Sequence, residues 1–88
     1  MASYKLRIKK SAAKELEAIP RKIDRQRVIK RIESLAENPR SESCIKLSGQ
    51  ENYRIRQGLY RIVYEIRDEV LVVNVIKVAH RSNVYKNN

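Results

Sequence analysis

Between Asn52 and Ala79 the chain reads NYRIRQGLYRIVYEIRDEVLVVNVIKVA, alternating apolar and polar residues with breaks at Gln57-Gly58 and Asp68-Glu69. A period of two marks strands with one covered face. Joints this short connect neighbouring strands only as antiparallel hairpins. Three successive strands are expected, roughly 52 to 57, 59 to 67 and 70 to 79. Tyr53, Ile55, Tyr60, Ile62, Tyr64 and Ile66 share the face that must be buried. A two-residue turn at Asp68-Glu69 adds Leu71, Val73 and Val75 to it, and puts Val72, Asn74 and Ile76 on the opposite face with Arg54, Arg56 and Arg61.

The rest of the chain supplies a further strand and two helices. Tyr4, Leu6 and Ile8 alternate with Lys5, Arg7 and Lys9, which predicts a half-buried strand. Ser11 is placed to cap a first helix over Ser11 to Ala18, ended by Pro20. From Arg21 to residue 37 the spacing of Ile23, Val28, Ile32, Leu35 and Ala36 predicts a second helix, stopped by Asn38-Pro39. Residues 40 to 51 read as a polar loop anchored by Ile45 and Leu47, with a turn at Gly49. The order is β-α-α-β-β-β, an α+β fold. Its first strand joins an antiparallel-rich sheet, and both N-terminal helices pack on one face. Eighty-eight residues close one core, so residues 1–88 form a single domain. With no Trp and no Phe, Ile, Val, Leu and five tyrosines must fill it.

The net charge of +10 exceeds the magnitude of roughly 2 to 8 that keeps a small domain soluble. A charge of that size repels itself and points to a polyanionic partner, nucleic acid foremost. Arg21, Lys22, Arg25, Arg27, Lys30 and Arg31 crowd one helix with Asp24 as their offset, a candidate RNA- or ribosome-binding surface. The N-terminus lacks an export signal and the longest apolar stretch, Val70 to Val73, is too short for a bilayer. A cytoplasmic protein without a membrane partner is expected. One cysteine and one histidine cannot assemble a zinc site, no acidic cluster suits Mg²⁺, and no cofactor is expected.

If Gln57-Gly58 is a two-residue turn, Arg56 faces Leu59, Ile55 faces Tyr60 and Arg54 faces Arg61. Like charges opposed across a ladder destabilise it, so the arrangement suggests an anion that fills the gap. After the last strand come His80, Arg81 and Tyr85, which stand beside the arginine face if the chain turns back over the sheet edge. Guanidinium groups, an imidazole and a phenol around one anion suit cleavage of a phosphodiester with an RNA 2′-hydroxyl as nucleophile and no metal. Proton transfer is open to both His80 and Tyr85.

The helical half ending in "NP", followed by "LSG" and "YRIRQGLYRIVYEIRDEVLVVNVIKVAHRSNVY", resembles the RelE/ParE superfamily of toxins from toxin–antitoxin modules. The resemblance covers nearly the whole chain and is most specific from Tyr53 to Tyr85. It implies one of two activities: ribosome-dependent endoribonuclease cleavage of mRNA in the ribosomal A site, or poisoning of DNA gyrase without hydrolysis. The residues favour the RelE branch, an mRNA interferase. The resemblance implies that Arg61 and Arg81 hold the scissile phosphate and that Arg54 and Arg56 stabilise the transition state. Tyr85 would stack on a base or assist proton transfer. The best-known branch commonly has lysines where Arg54 and Arg56 stand. A guanidinium, which stays protonated, is a poor base, so proton work falls to His80 or Tyr85. The implied partners are a cognate RelB-like antitoxin, the ribosome with its mRNA, and operator DNA bound by the toxin–antitoxin complex. The alternatives are a ParE-type gyrase inhibitor and a non-catalytic basic nucleic-acid-binding module.

Overall fold

The computed structural model describes residues 3 to 47 and 52 to 84. The expected turn at Gly49 and the site residue Tyr85 lie outside them. Strand β1 (Lys5–Ile8) leads into helices α1 (Lys10–Glu17) and α2 (Lys22–Ser34), a short β2 (Ile45–Lys46), β3 (Asn52–Gln57), β4 (Tyr60–Arg67), β5 (Val72–His80) and a final turn of helix, α3 (Arg81–Val84). One five-stranded sheet runs in the order β1-β5-β4-β3-β2, with β1 parallel to β5 and the other pairs antiparallel. The α+β reading and the entry of the first strand into the later sheet hold. The polar loop contains β2, whose two residues are too few to show a period.

The core lies between the helices and one face of the sheet. Ala12 and Leu16 of α1, Val28 and Ile32 of α2, Ile19 between them and Leu35 after them close over Tyr53, Ile55, Ile62, Tyr64, Ile66, Val73 and Val75. The expected sheet face is therefore buried, apart from Tyr60 at its rim, which is partly buried, and Leu71, which is exposed. Tyr64 is fully buried, stacks on Tyr53 at 5.9 Å and donates its hydroxyl to the Pro39 carbonyl at 2.6 Å. That bond satisfies a polar group that would otherwise be stranded in the core. Burial pushes the Tyr64 hydroxyl well above its ordinary pKa.

Several local expectations are corrected. Ser11 is not a cap: the Lys9 N–H donates to Val75 at the end of β1, and the Lys9 carbonyl already accepts the first α1 bond from Ala13. Strand passes directly into helix at Lys9, so no separate cap residue intervenes. Helix α2 ends at Ser34, with residues 35 to 37 closing in i→i+3 bonds. Ile23 is 45% exposed. It precedes Val28 by five residues, about 140° round a helix of 3.6 residues per turn. The joint after β4 is also longer than two residues: Arg67 pairs with Val72 across a turn over Asp68–Val70 and a left-handed Leu71. Leu71 is consequently exposed, outside the core.

Two corrections position the site. The β3–β4 turn is at Gly58-Leu59, so Arg56 pairs with Arg61, Arg54 with Val63 and Ile55 with Ile62. Gly58 has φ +59, the region where glycine carries no side-chain penalty. Then β5 bulges against Val63/Tyr64: Lys77 pairs with Val63 and Val75 with Tyr64, which leaves Ile76 without an opposite residue. One extra residue exchanges the two faces of the strand beyond it. Val78 therefore enters the core and Ala79 faces Arg61.

Candidate active site at the β3–β4 hairpin tip

The second pair after the turn, Arg56 and Arg61, puts two cations side by side on the open face of the sheet. A third arrives from the C-terminal end, because the Arg81 N–H donates to the Leu59 carbonyl at 2.7 Å and docks the start of α3 on the turn. Arg56, Arg61 and Arg81 line one cleft of about 160 Å³ with Gly58, Leu59 and Tyr60. Arg61 is 8% exposed while Arg56 and Arg81 are exposed. The cleft is thus a positively charged depression whose floor guanidinium is fixed by burial. Such a group can hold an anion without first being immobilised.

The other expected site residues are divided by the fold. Arg54 is on the same face, but one pleat further from the tip, between Ile45 of β2 and Val63 of β4. It does not line the cleft. His80 pairs with Tyr60 and meets its ring edge-on at 5.3 Å, so it belongs to the helix-side face, opposite Arg61. The β5 bulge causes this: without the extra residue, position 80 would share the arginine face. Its Nδ1 accepts the Ser82 N–H at 3.2 Å and lies 2.8 Å from the Ser82 hydroxyl.

The basic helix is divided as well. Arg25 donates to the Ile19 carbonyl at 3.0 Å and Arg31 donates to the Ser43 hydroxyl, so both half-buried side chains tie loops to α2. Arg21, Lys22, Arg27 and Lys30 are exposed. Arg21 and Arg27 line a second cleft of about 140 Å³ on the other side of the hairpin tip, with Asp24, Gln57 and Tyr60. Cations therefore flank Tyr60 and the 53% exposed Leu59 from both sides. Sequence reasoning missed Leu59, Tyr60 and Gln57 as wall residues. A large apolar residue in a hairpin turn was the available signal, since turns favour Gly, Asn and Asp there.

Among the described residues no group of three or more His, Cys, Asp or Glu could hold a metal ion. Among the described residues no helix is long and apolar enough to cross a membrane.

The family model for the ParE toxin of the type II toxin–antitoxin system parDE matches residues 6–85. A chain with this sheet, this helix pair and this cationic hairpin belongs to the RelE/ParE superfamily: it is the toxin of a type II toxin–antitoxin module. Among solved structures it is similar to the isolated RelE toxin of E. coli, with 35% identity and a TM-score of 0.78 over 96% of this chain and 93% of that one. It is also similar to a chain of the archaeal RelE–RelB complex from Pyrococcus horikoshii OT3, with 28% identity and a TM-score of 0.79 over 90% and 96%. A chain of the RelBE2 toxin–antitoxin complex of Mycobacterium tuberculosis matches with 26% identity and a TM-score of 0.79 over 91% and 100%. No curated protein sequence matches significantly.

Proposed function

We propose that this toxin is a cytoplasmic, ribosome-dependent endoribonuclease that cleaves mRNA in the A site and is neutralised by a RelB-like antitoxin. The observation that carries the reading is the convergence of Arg56, Arg61 and Arg81 on one cleft. The likeness to RelE chains, several solved with an antitoxin, supports it.

Three guanidinium groups suit a phosphodiester whose charge grows as it reacts. The RNA 2′-oxygen attacks phosphorus, its proton passes to a base, and the 5′-oxygen leaves with a proton. The products are a 2′,3′-cyclic phosphate and a free 5′-hydroxyl. Buried Arg61 would hold a non-bridging oxygen, and Arg56 and Arg81 would offset the charge that develops on the phosphorane. Of the sequence candidates for proton transfer, Tyr85 lies outside the described residues and His80 is carried to the helix-side face by the β5 bulge.

The test is a defined mRNA in a purified translating-ribosome system, with free RNA and a gyrase supercoiling assay alongside. Cleavage of ribosome-bound message alone, leaving 2′,3′-cyclic phosphate ends, is expected. Arg81→Ala, which removes an exposed side chain, should lower the cleavage rate by about 10²–10³-fold with an unchanged fold. A ParE-type gyrase inhibitor is the second reading, favoured by the family model that matches. Intact mRNA with gyrase inhibited would establish it in place of the first.

A further inference from the structure

We propose that His80 is not the general base of this site but a positioning residue, which caps α3 through Nδ1 and so holds Arg81 in the cleft. For its kinetic consequence the inference rests on the nuclease reading; for its structural content it does not.

A backbone N–H can only donate. The Ser82 N–H at 3.2 Å therefore makes Nδ1 an acceptor carrying no proton, and the Ser82 hydroxyl 2.8 Å away is oriented as a second donor to it. In the neutral ring the proton is then on Nε2, which leaves neither nitrogen free to take one from a substrate hydroxyl. Moving the proton to Nδ1 would free Nε2 but remove the acceptor from Ser82.

The bond has the form of a helix N-cap: the residue before the helix accepts from the N–H two positions later, satisfying a donor that the helix leaves orphaned. Asn and Asp ordinarily do this, and Nδ1 stands where an Asn Oδ1 would. Arg81 lies between the two bonded residues, and its own N–H is spent on the Leu59 carbonyl. Residues 80 to 82 are thus pinned at both Arg81 and Ser82, which fixes where the Arg81 side chain leaves the backbone. The ring itself rests against Tyr60, on the face away from Arg61.

Two substitutions separate the roles. His80→Asn restores an acceptor at the Nδ1 position while removing the ring and any base. His80→Phe keeps a ring against Tyr60 while removing the acceptor. For the native toxin and both variants, amide exchange at Ser82 and cleavage of ribosome-bound mRNA would be measured across a range of pH. His80→Asn should keep Ser82 protection, the native pH profile and a rate within about twofold of native, since Asn is among the best caps. His80→Phe should lose the protection and about fivefold in rate, the worth of a typical cap. Loss of about 10²-fold or more in both variants, with the pH profile of His80→Asn changed, would make His80 the base and overturn the proposal. A native-like His80→Phe beside an impaired His80→Asn would overturn it in favour of ring packing. If the native toxin cuts no RNA, the nuclease reading fails and the exchange measurement still decides: equal Ser82 exchange in all three proteins refutes the cap.

Discussion

Gly58→Ala tests the turn on which the site depends. Gly58 has φ +59, and a Cβ placed there would meet nothing within 4 Å, so the substitution adds no clash and its cost is confined to the backbone. An L-residue in the left-handed region loses about 1–2 kcal/mol. The less flexible unfolded chain returns about 0.4–1 kcal/mol of that. The net is a destabilisation of about 1 kcal/mol, which lowers Tm by about 4–8 °C in a domain of this size. Thermal unfolding followed by circular dichroism reads it directly.

The same energy bounds the functional effect. Gly58 and Leu59 border the cleft, and the Leu59 carbonyl holds Arg81. If the turn relaxes to relieve its strain, the population of the competent turn falls by at most about fivefold, the factor equivalent to 1 kcal/mol. Cleavage well below Tm should fall by no more than that. A Tm equal to or above the native value would refute the reasoning, because alanine stabilises wherever its backbone conformation is compatible.

Tyr64→Phe strands the buried Pro39 carbonyl while leaving the stack on Tyr53. It should cost about 1–3 kcal/mol in chemical denaturation without altering cleavage, and a loss below about 0.5 kcal/mol would mean that the hydroxyl bond is not needed. Asp68 accepts a bidentate pair from Arg40 and the Tyr4 hydroxyl, which hold its carboxyl at about 2, below the ordinary 3.8. A depressed folded pKa gives stability that is present above the unfolded value and lost as pH falls through about 2. Melts between about pH 5 and pH 2 should therefore fall more steeply for the native protein than for Asp68→Asn. Arg27→Ala should raise the KM for ribosome-bound message, and flatten its salt dependence by about one phosphate contact, with kcat unchanged. An effect confined to kcat would place Arg27 at the chemistry. Arg25→Ala should instead act on Tm, through the lost bond to Ile19.

The buried face was legible because alternation along β3 and β4 needs no knowledge of register. The register itself was not. Sliding β3 by two residues against β4 leaves every side chain on its own face, so the hydrophobic pattern accepts both the pairing of Arg54 with Arg61 and the observed pairing of Arg56 with Arg61. What separates them is which turn residue takes the left-handed conformation, a choice between Gln57 and Gly58 that alternation does not encode. Ile23 and Ser11 failed differently: Ile23 was grouped by spacing and Ser11 by residue type, where helix angle and the β1 hydrogen bonds decide. Arg25 and Arg31 could not be told from Arg27 and Lys30 by charge. Their distinction is the presence of a carbonyl or hydroxyl within reach, which comes from loops distant in the pattern.

The bulge in β5 joins the legible half of the molecule to the half that was not. An unbroken β5 would carry Val73, Val75, Lys77 and Ala79 on the core side and would send Val78 and His80 to the arginine face. That arrangement buries a lysine and crowds Arg61 with a branched side chain. One extra residue, Ile76, reverses the strand beyond it. Val78 fills the core and Lys77 reaches outward to pair with Glu15 at 2.9 Å. Ala79 comes to lie opposite Arg61, and its small side chain leaves room for a guanidinium buried to 8% exposure. His80 is carried to Tyr60, where it can cap α3. The cationic cleft thus follows from a register irregularity, in keeping with the tendency of bulges to sit beside active sites and re-aim side chains. A sequence read as uniform alternation places Val73 and Val75 correctly but puts the residues beyond Ile76 on the wrong sides of the sheet.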